Sequence, residues 1–232
     1  MAETLAQRGP GRPAEAGRGG RDRFSPLPAR AFHIADAENW PAIQRLGLFS
    51  TARLIARDGL KGDAALPFAG HRPRGLRLPS GALIRDQGPM PPAALGRCLD
   101  AGLSPQDWYD LVNAKVYFWL DEDRLQRHLA ACASRAQVVV AIDLPALLAR
   151  HGAAACLTPF NVGNARRRPA GRGRRSFVPL ALWLEHRWRS EAEPGRSPRP
   201  ASHPPAEIAI EDAVPDLMDF VLDARPVPAR RR

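Results

Sequence analysis

The sequence predicts an α+β domain with a mixed, mostly antiparallel sheet, and three observations support this fold class. Short apolar segments typical of strands alternate irregularly with short helical segments, which differs from the regular order of a doubly wound fold. Hydrophobic residues make up 44% of the 232 residues, enough for a sizeable core. Proline (24 residues) and glycine (19 residues) are abundant and cluster near both ends. We therefore expect one folded domain at 31–225 between disordered basic tails at 1–30 and 226–232.

The first half of the domain is predicted to contain short elements with clear boundaries. Trp40, Ile43 and Leu46 lie on one helical face, and Gly47 is a typical C-terminal stop. Ser104 is a typical N-cap, with proline at the first helical position after it. We expect strands at 32–34 and 82–85, and helices at 39–46, 52–58, 92–100 and 104–113.

The second half contains the most apolar strands. The segment QVVVAI at 137–142 has the continuous β-branched run of a strand buried on both faces. Asp143 is positioned to cap the short helix that follows. We expect strands at 116–120, 137–142 and 206–210, helices at 121–133 and 144–151, and an extension of the sheet at 221–223.

The formal net charge of +10 comes almost entirely from arginine, since Lys61 and Lys115 are the only lysines. Six arginines occur in a loop at 161–176, whose like charges repel unless an anion binds them. We expect this loop to be mobile and to bind DNA or RNA through Arg166, Arg172, Arg174 and Arg175. A second irregular segment, at 190–205, has the composition of a proline-rich linker.

Several function classes lack support in the sequence. The three cysteines contain no CxxC pair, and the six histidines contain no HxxxH pair, so we expect reduced thiols and no metal site. No apolar run reaches the length of a membrane span. P-loop, GxSxG and HExxH motifs are also absent. These features are typical of a soluble cytoplasmic protein of bacterial type with no membrane partner.

Three polar residues lie on predicted strands between apolar neighbours: His33, Tyr117 and Glu207. Each has an ordinary structural interpretation. His33 would be a satisfied structural histidine, Tyr117 a half-buried core residue, and Glu207 a side chain facing water on an alternating strand. Taken together and in this order, they indicate a more specific site.

The segment FHIADAENWPAIQRLGLFST resembles the opening motif of proteins with the ADP-ribosyltransferase fold. It is most similar to the DarT-type DNA ADP-ribosyltransferases and, more distantly, to RNA 2′-phosphotransferases. The alternative that stays open is an uncharacterised bacterial family with the same opening motif. The resemblance continues in order through VYFWL, QVVVAIDLPALL, LTPFNVGNA and PAEIAIEDAVPD, and it covers about residues 31–223.

The resemblance implies a split sheet that binds NAD+ as a co-substrate. His33 would then bind the adenosine-side ribose, Tyr117 would lie beside the nicotinamide, and Glu207 would be the catalytic carboxylate. Residues in the matching motifs complete the implied cofactor set: Asn39, Ser50 and Asn164. The DarT-type enzymes also use an arginine upstream of the aromatic strand, and five candidates remain open: Arg53, Arg72, Arg74, Arg77 and Arg85.

The leading prediction is an NAD+-dependent ADP-ribosyl transferase, with nucleic acid as one candidate acceptor. Cleavage of an N-glycosidic bond passes through an oxocarbenium-like state, which a fixed carboxylate stabilises. One alternative is an RNA 2′-phosphotransferase-like enzyme that uses the arginine loop. Another is a catalytically silent nucleic-acid-binding module on the same fold, which an exposed Glu207 far from His33 would favour.

Overall fold

The structure is a computed structural model that describes residue 24 and residues 26–166, 169–191 and 197–230. Its described residues combine short helices with a sheet whose strand pairs are antiparallel. The α+β class and the mostly antiparallel sheet are confirmed.

The helices are short because capping residues and prolines limit them. They are α1 (Trp40–Leu46), α2 (Thr51–Arg57), α3 (Leu66–Ala69), α4 (Pro92–Leu95), α5 (Pro105–Asn113), α6 (Glu122–Ala131), α7 (Leu144–His151) and α8 (Leu180–His186). The strands are β1 (Arg30–Asp36), β2 (Leu48–Phe49), β3 (Leu76–Arg77), β4 (Leu83–Ile84), β5 (Lys115–Trp119), β6 (Gln137–Asp143), β7 (Ala155–Thr158), β8 (Val178–Pro179), β9 (Glu207–Glu211), β10 (Ala213–Val214) and β11 (Val221–Val227).

The predicted caps are formed at several helix ends. Ser104 and Asp107 make a reciprocal capping box at the start of α5, and Asp143 accepts a bond from the Ala146 N–H at the start of α7. Gly47 ends α1 with a φ of 86°, and a Cβ there would lie within 2.4 Å of the Pro215 backbone. Glycine therefore permits both the left-handed conformation and the close approach.

The central sheet has the strand order β11-β6-β1-β5-β9-β7-β8 among the described residues. The strand β6 is buried from Gln137 to Ile142, because side chains pack on both faces of it. On one face, Phe118, Ile142 and Ile208 join the main core, which also includes Leu147 of α7 and Trp183 of α8.

The sheet splits between β1 and β5. The two strands share a single pair, Phe32 with Trp119. Beyond it, β1 continues along β6 as far as the pair Asp36–Gln137, whereas β5 continues along β9. The edges of β1 and β5 that face each other do not pair further within the described chain, and a cavity opens between them.

Both predicted tail boundaries are wrong. Phe24 and Leu27 are buried in the main core, and the Ala29 carbonyl accepts a bond from the Leu144 N–H at 3.2 Å. At the other end, β11 pairs with β6 as far as Val227, and the Arg230 N–H donates to Ala133. The folded domain therefore extends beyond 31–225 at both ends. At the N-terminal end, apolar side chains at 24 and 27 join the core, and at the C-terminal end β11 covers an edge of β6. The predicted tail residues 1–23, 25 and 231–232 lie outside the described residues.

The predicted arginine loop and linker are anchored where the structure describes them. Arg172 forms a parallel bridge with Leu99, with backbone bonds to Cys98 and Asp100. In the proline-rich segment, the His203 carbonyl accepts a bond from the Trp188 indole at 2.7 Å. Residues 169–176 are therefore held by hydrogen bonds, and the mobility expected for 161–176 stays a prediction. Residues 167–168 and 192–196 lie outside the described residues.

Candidate active site

A cavity of about 1010 Å³ lies where the sheet splits. Its wall includes the unpaired part of β1 and the facing part of β5. His33, Tyr117 and Glu207 all line it, although they are far apart in sequence. The strand order explains this, because β1, β5 and β9 are neighbours in the sheet.

His33 lies where the pairing of β1 with β5 ends. Its Nδ1 is 2.9 Å from the Tyr117 carbonyl oxygen, so the side chain bridges the strands beyond their last backbone pair. A carbonyl can only accept, which assigns the proton to Nδ1 and leaves Nε2 as an acceptor in the neutral ring. Burial lowers the pKa of His33 to about 4, so the ring is neutral near pH 7.

Tyr117 is half-buried on β5 and packs against a hydrophobic cluster, separate from the main core, that includes Trp108 and Ala209. Its hydroxyl donates to the Val112 carbonyl at 3.1 Å. Burial, together with the nearby Glu207 carboxylate, raises the pKa of Tyr117 well above its usual value. The phenol is therefore neutral, and its ring forms part of the cavity wall.

Glu207 is only 4% exposed, so the interpretation of a water-facing side chain is wrong. Its Oε2 accepts a bond from the Val162 N–H at 3.1 Å, and Thr158 Oγ1 lies 3.3 Å from the same oxygen. Burial raises the pKa of Glu207 to about 7, although these two bonds oppose the effect. The carboxyl group consequently exchanges its proton near neutral pH.

The loop at 161–164 completes this side of the cavity. The Asn161 side-chain oxygen accepts a bond from the Gly163 N–H at 2.8 Å, and that of Asn164 accepts one from the Arg166 N–H at 2.9 Å. Both asparagines line the cavity. These turns hold the Val162 N–H where it binds Glu207.

The other two expected cofactor residues have structural partners. Both amide atoms of Asn39 bind the Leu83 backbone, at 2.7 and 3.0 Å, while the residue lines the cavity. Ser50 is 1% exposed, caps α2 by accepting a bond from the Arg53 N–H, and is not among the cavity-lining residues.

Two of the five candidate arginines line the cavity, Arg72 and Arg85. The Arg85 guanidinium binds Asp36 at 3.0 Å and Gln137 at 2.9 Å. Arg72 is buried and donates to the Arg85 carbonyl at 3.0 Å; burial lowers its pKa to about 10. The remaining three, Arg53, Arg74 and Arg77, are exposed and lie outside the cavity lining.

A polar group at the Arg85 end of the cavity was not predicted from the sequence. His128 Nε2 lies 3.3 Å from the Arg85 guanidinium and 3.7 Å from Cys132 Sγ. Burial lowers the pKa of His128 to about 4. The one available signal was the spacing of His128 and Cys132, four residues apart on a predicted helix.

The prediction of nucleic-acid binding is wrong for Arg172, which is 2% exposed. Its guanidinium lies 4.8 Å from the Phe160 ring centre and 5.4 Å from that of Trp108. The charged group therefore packs against aromatic rings and does not extend into solvent. Arg166 is exposed at the cavity and donates to the Gly88 carbonyl at 3.1 Å. Arg174, which lies 4.0 Å from Asp107, and Arg175 are exposed.

Within the described ranges, no group of three His, Cys, Asp or Glu side chains is arranged to hold a metal ion. None of the helices among these residues has the length and apolar character needed to cross a bilayer.

The fold and the site define an α+β protein with a candidate active site at the split of an antiparallel sheet. The chain belongs to a family of unknown function, DUF7002, whose family model matches residues 29–221. The matched range includes His33, Tyr117 and Glu207. No curated protein and no solved structure matches the chain.

Proposed function

We propose that this protein is an NAD+-dependent ADP-ribosyl transferase with the ADP-ribosyltransferase fold. It would cleave the bond between nicotinamide and ribose and transfer the ADP-ribosyl group to an acceptor. The observation that carries the proposal is the cavity at the split of β1 and β5, which His33, Tyr117 and Glu207 line together.

Glu207 is proposed to stabilise the positive charge that develops on the ribose. A buried carboxylate acts strongly on such a charge because little water screens it. The Val162 N–H and the Thr158 hydroxyl fix one carboxylate oxygen. Within the described chain, Oε1 accepts no hydrogen bond, which leaves it available for the substrate.

His33 and Tyr117 are proposed to position the substrate. The neutral His33 ring holds its proton on Nδ1, so Nε2 can accept a bond from a ribose hydroxyl. The Tyr117 ring offers an apolar face beside Glu207 on which the nicotinamide can pack. Both roles are orientation effects.

Cationic side chains in the cavity suit a dinucleotide with two phosphates. Arg72, Arg85 and Arg166 line it. Its volume is at the upper end of the range of about 300–1,000 Å³ that is typical of ligand pockets. Asn39, Asn164 and Ser50 support this site through the loops and helix they hold.

Nucleic acid is the proposed acceptor class, since Arg166, Arg174 and Arg175 are exposed. The phosphotransferase alternative needs the arginine loop to bind an RNA phosphate, and Arg172 of that loop is buried. The silent-binder alternative would be favoured by an exposed Glu207 far from His33, whereas Glu207 is buried and lines the same cavity as His33. Free thiols at Cys98, Cys132 and Cys156 suit the reducing cytoplasm, where we propose the protein acts.

The proposal is tested by incubating the purified protein with labelled NAD+ and separate pools of single-stranded DNA, RNA and protein. We expect transfer of label to one pool, accompanied by free nicotinamide, and loss of both with Glu207→Gln. Failure of the wild type to release nicotinamide or transfer label in any pool would contradict the proposal.

A further inference from the structure

Arg172 is a buried cation without a carboxylate in ion-pair contact among the residues the structure describes. Its guanidinium packs against the rings of Phe160 and Trp108. A buried charge is costly unless its surroundings compensate it. The aromatic rings compensate part of this cost.

The backbone of Val162 connects Arg172 to Glu207. The Val162 N–H donates to Glu207 Oε2 at 3.1 Å, and the Val162 carbonyl accepts from Arg172 Nη1 at 3.5 Å. Arg172 and the proposed catalytic carboxylate thus bind opposite polar groups of the same residue. Val162 is therefore the one residue that separates the Arg172 guanidinium from the Glu207 carboxyl group along this path.

Arg172 is itself held firmly. Its N–H donates to the Cys98 carbonyl, and its carbonyl accepts from the Asp100 N–H, both at 2.8 Å. The side-chain Nε donates to the Ala170 carbonyl at 3.2 Å. The guanidinium is therefore placed by the backbone and does not depend on a solvent-exposed loop.

We propose that Arg172 is a positioning residue for Glu207, which it orients through the Val162 backbone and faces with a fixed buried charge. The inference rests on the proposed function for the meaning of Glu207 in catalysis. It assigns to Arg172 a part in the reaction in place of the contact with nucleic acid that the sequence suggested.

The groups that act on Glu207 come from β7, the loop that follows it, α6 and β5. Burial raises its pKa, and the bonds from Val162 and Thr158 lower it, followed by the charges of Arg124 on α6 and Arg172. Tyr117 is the titratable neighbour on β5. Arg124 is partly exposed, so salt screens its charge more than that of Arg172.

The direct test measures the titration of Glu207 by carbon-13 NMR, with the resonance assigned through its loss in Glu207→Gln. Arg172→Met removes the charge, Arg172→Lys keeps it, and Arg174→Met is a control on a nearby exposed arginine. We expect Arg172→Met to raise the Glu207 midpoint by about one pH unit, in low and high salt alike. Arg172→Lys should keep the midpoint near the wild-type value, and Arg174→Met should leave it unchanged.

A second measurement needs no substitution at Arg172, in case Arg172→Met does not fold. In the wild type, the Arg172 Nε–H resonance should titrate with the same midpoint as Glu207. This titration should vanish in Glu207→Gln. An Arg172 resonance that does not follow Glu207, or a folded Arg172→Met with an unchanged midpoint, would overturn the inference.

These readouts are independent of the proposed activity, because neither requires NAD+. A protein without transferase activity whose Glu207 still responds to Arg172 would refute the proposed function and retain the coupling. If the enzyme is active, the pH profile of nicotinamide release should move with the NMR midpoint in Arg172→Met. An active Arg172→Met enzyme with the wild-type profile would overturn the positioning role.

Discussion

At the scale of the residue, the site depends on buried groups whose ionisation differs from that in water. Glu207 is protonated more readily than an ordinary glutamate, while His33 and His128 resist protonation; in each case burial is the largest cause. Burial disfavours the charged form of each group, so both histidines are neutral around pH 7, whereas Glu207 gains or loses its proton near that pH. Such groups are common at sites where proton or charge transfer occurs.

The shift at Glu207 predicts a pH-dependent contribution to stability. Its pKa is raised from 4.5 to about 7 on folding, so the folded state binds the extra proton between these values. The contribution is fully present below pH 4.5 and is lost as the pH rises through about 7. Relative to Glu207→Gln, the wild type should lose about 3 kcal/mol of unfolding free energy over this range.

Denaturant unfolding of both proteins from acid to mildly alkaline pH checks this prediction. The contributions of His33 and His128 are shared by the two proteins and cancel in the difference. A constant difference across the range would contradict the buried state of Glu207.

A second prediction at this scale concerns the stability role of Arg172. Arg172→Ala removes a buried side chain and leaves the Ala170 and Val162 carbonyls without its bonds. We expect a loss of about 3 kcal/mol in unfolding free energy. Arg174→Ala, at an exposed site, should change it by less than about 0.5 kcal/mol. Equal shifts of the melting temperature in the two alanine variants would contradict the burial of Arg172.

The sequence identified the most informative site residues but not their environments. His33, Tyr117 and Glu207 could be selected because each interrupts an apolar strand. The burial of Glu207 could not be predicted, since an alternating strand such as AEIAI usually exposes its polar face to solvent. The same limit applies to Arg172, whose aromatic partners Trp108 and Phe160 come from separate segments of the chain.

At the scale of the element, the cavity exists because β1 pairs with β5 at only one position. It stays paired with β6 along its whole length, and helix α1 and strand β4 lie along the opened edge. Asn39 joins these two elements, since both atoms of its amide bind the Leu83 backbone. These two hydrogen bonds, the Asn39 clamp, therefore support the cavity wall.

Asn39→Ala should weaken this wall. Two hydrogen bonds to the β4 backbone are lost, which predicts a loss of about 1–3 kcal/mol in unfolding free energy. Gln44→Ala is the control, because Gln44 is exposed on α1 and does not line the cavity. Faster amide hydrogen exchange at Leu83 in the Asn39 variant would show the local opening directly. Identical exchange at Leu83 in wild type and variant would refute the clamp.

Local signals predicted the strongest elements well. The β-branched run of β6, the capping box of α5 and the glycine stop of α1 all have causes within a few residues. The helix α8 was missed, and the helix predicted at 92–100 ends at Leu95. Packing of Leu180 and Trp183 into the main core supports α8, and such contacts are not visible in a short window.

At the scale of the whole molecule, the sheet joins segments from both ends of the chain. The C-terminal strand β11 lies at one edge and covers β6, whereas β1 begins near the N-terminus and lies on the other side of β6. The strand order depends on contacts between residues far apart in sequence. The fold class was predictable from local patterns in the sequence. The order of strands and the ends of the domain were not, because they depend on these long-range contacts.

Truncation tests the contribution of β11. Removal of residues 224–232 deletes most of the strand paired with β6. We expect a loss of at least about 3 kcal/mol in unfolding free energy, because backbone pairs and packing on a central strand are removed together. Removal of 231–232 alone should have little effect. A core that keeps full stability without residues 224–232 would restore the shorter domain boundary.

The measurement that tests the central claim most directly is the rate of nicotinamide release by wild type, Glu207→Gln and the control Glu185→Gln. Glu185 is exposed on α8 and lies outside the cavity lining, so its variant should match the wild type. Glu207→Gln should bind NAD+ with similar affinity in calorimetry but turn over about a hundredfold more slowly, because the carboxylate acts mainly in the transition state. Full turnover by Glu207→Gln, or no binding of NAD+ by the wild type, would contradict the account.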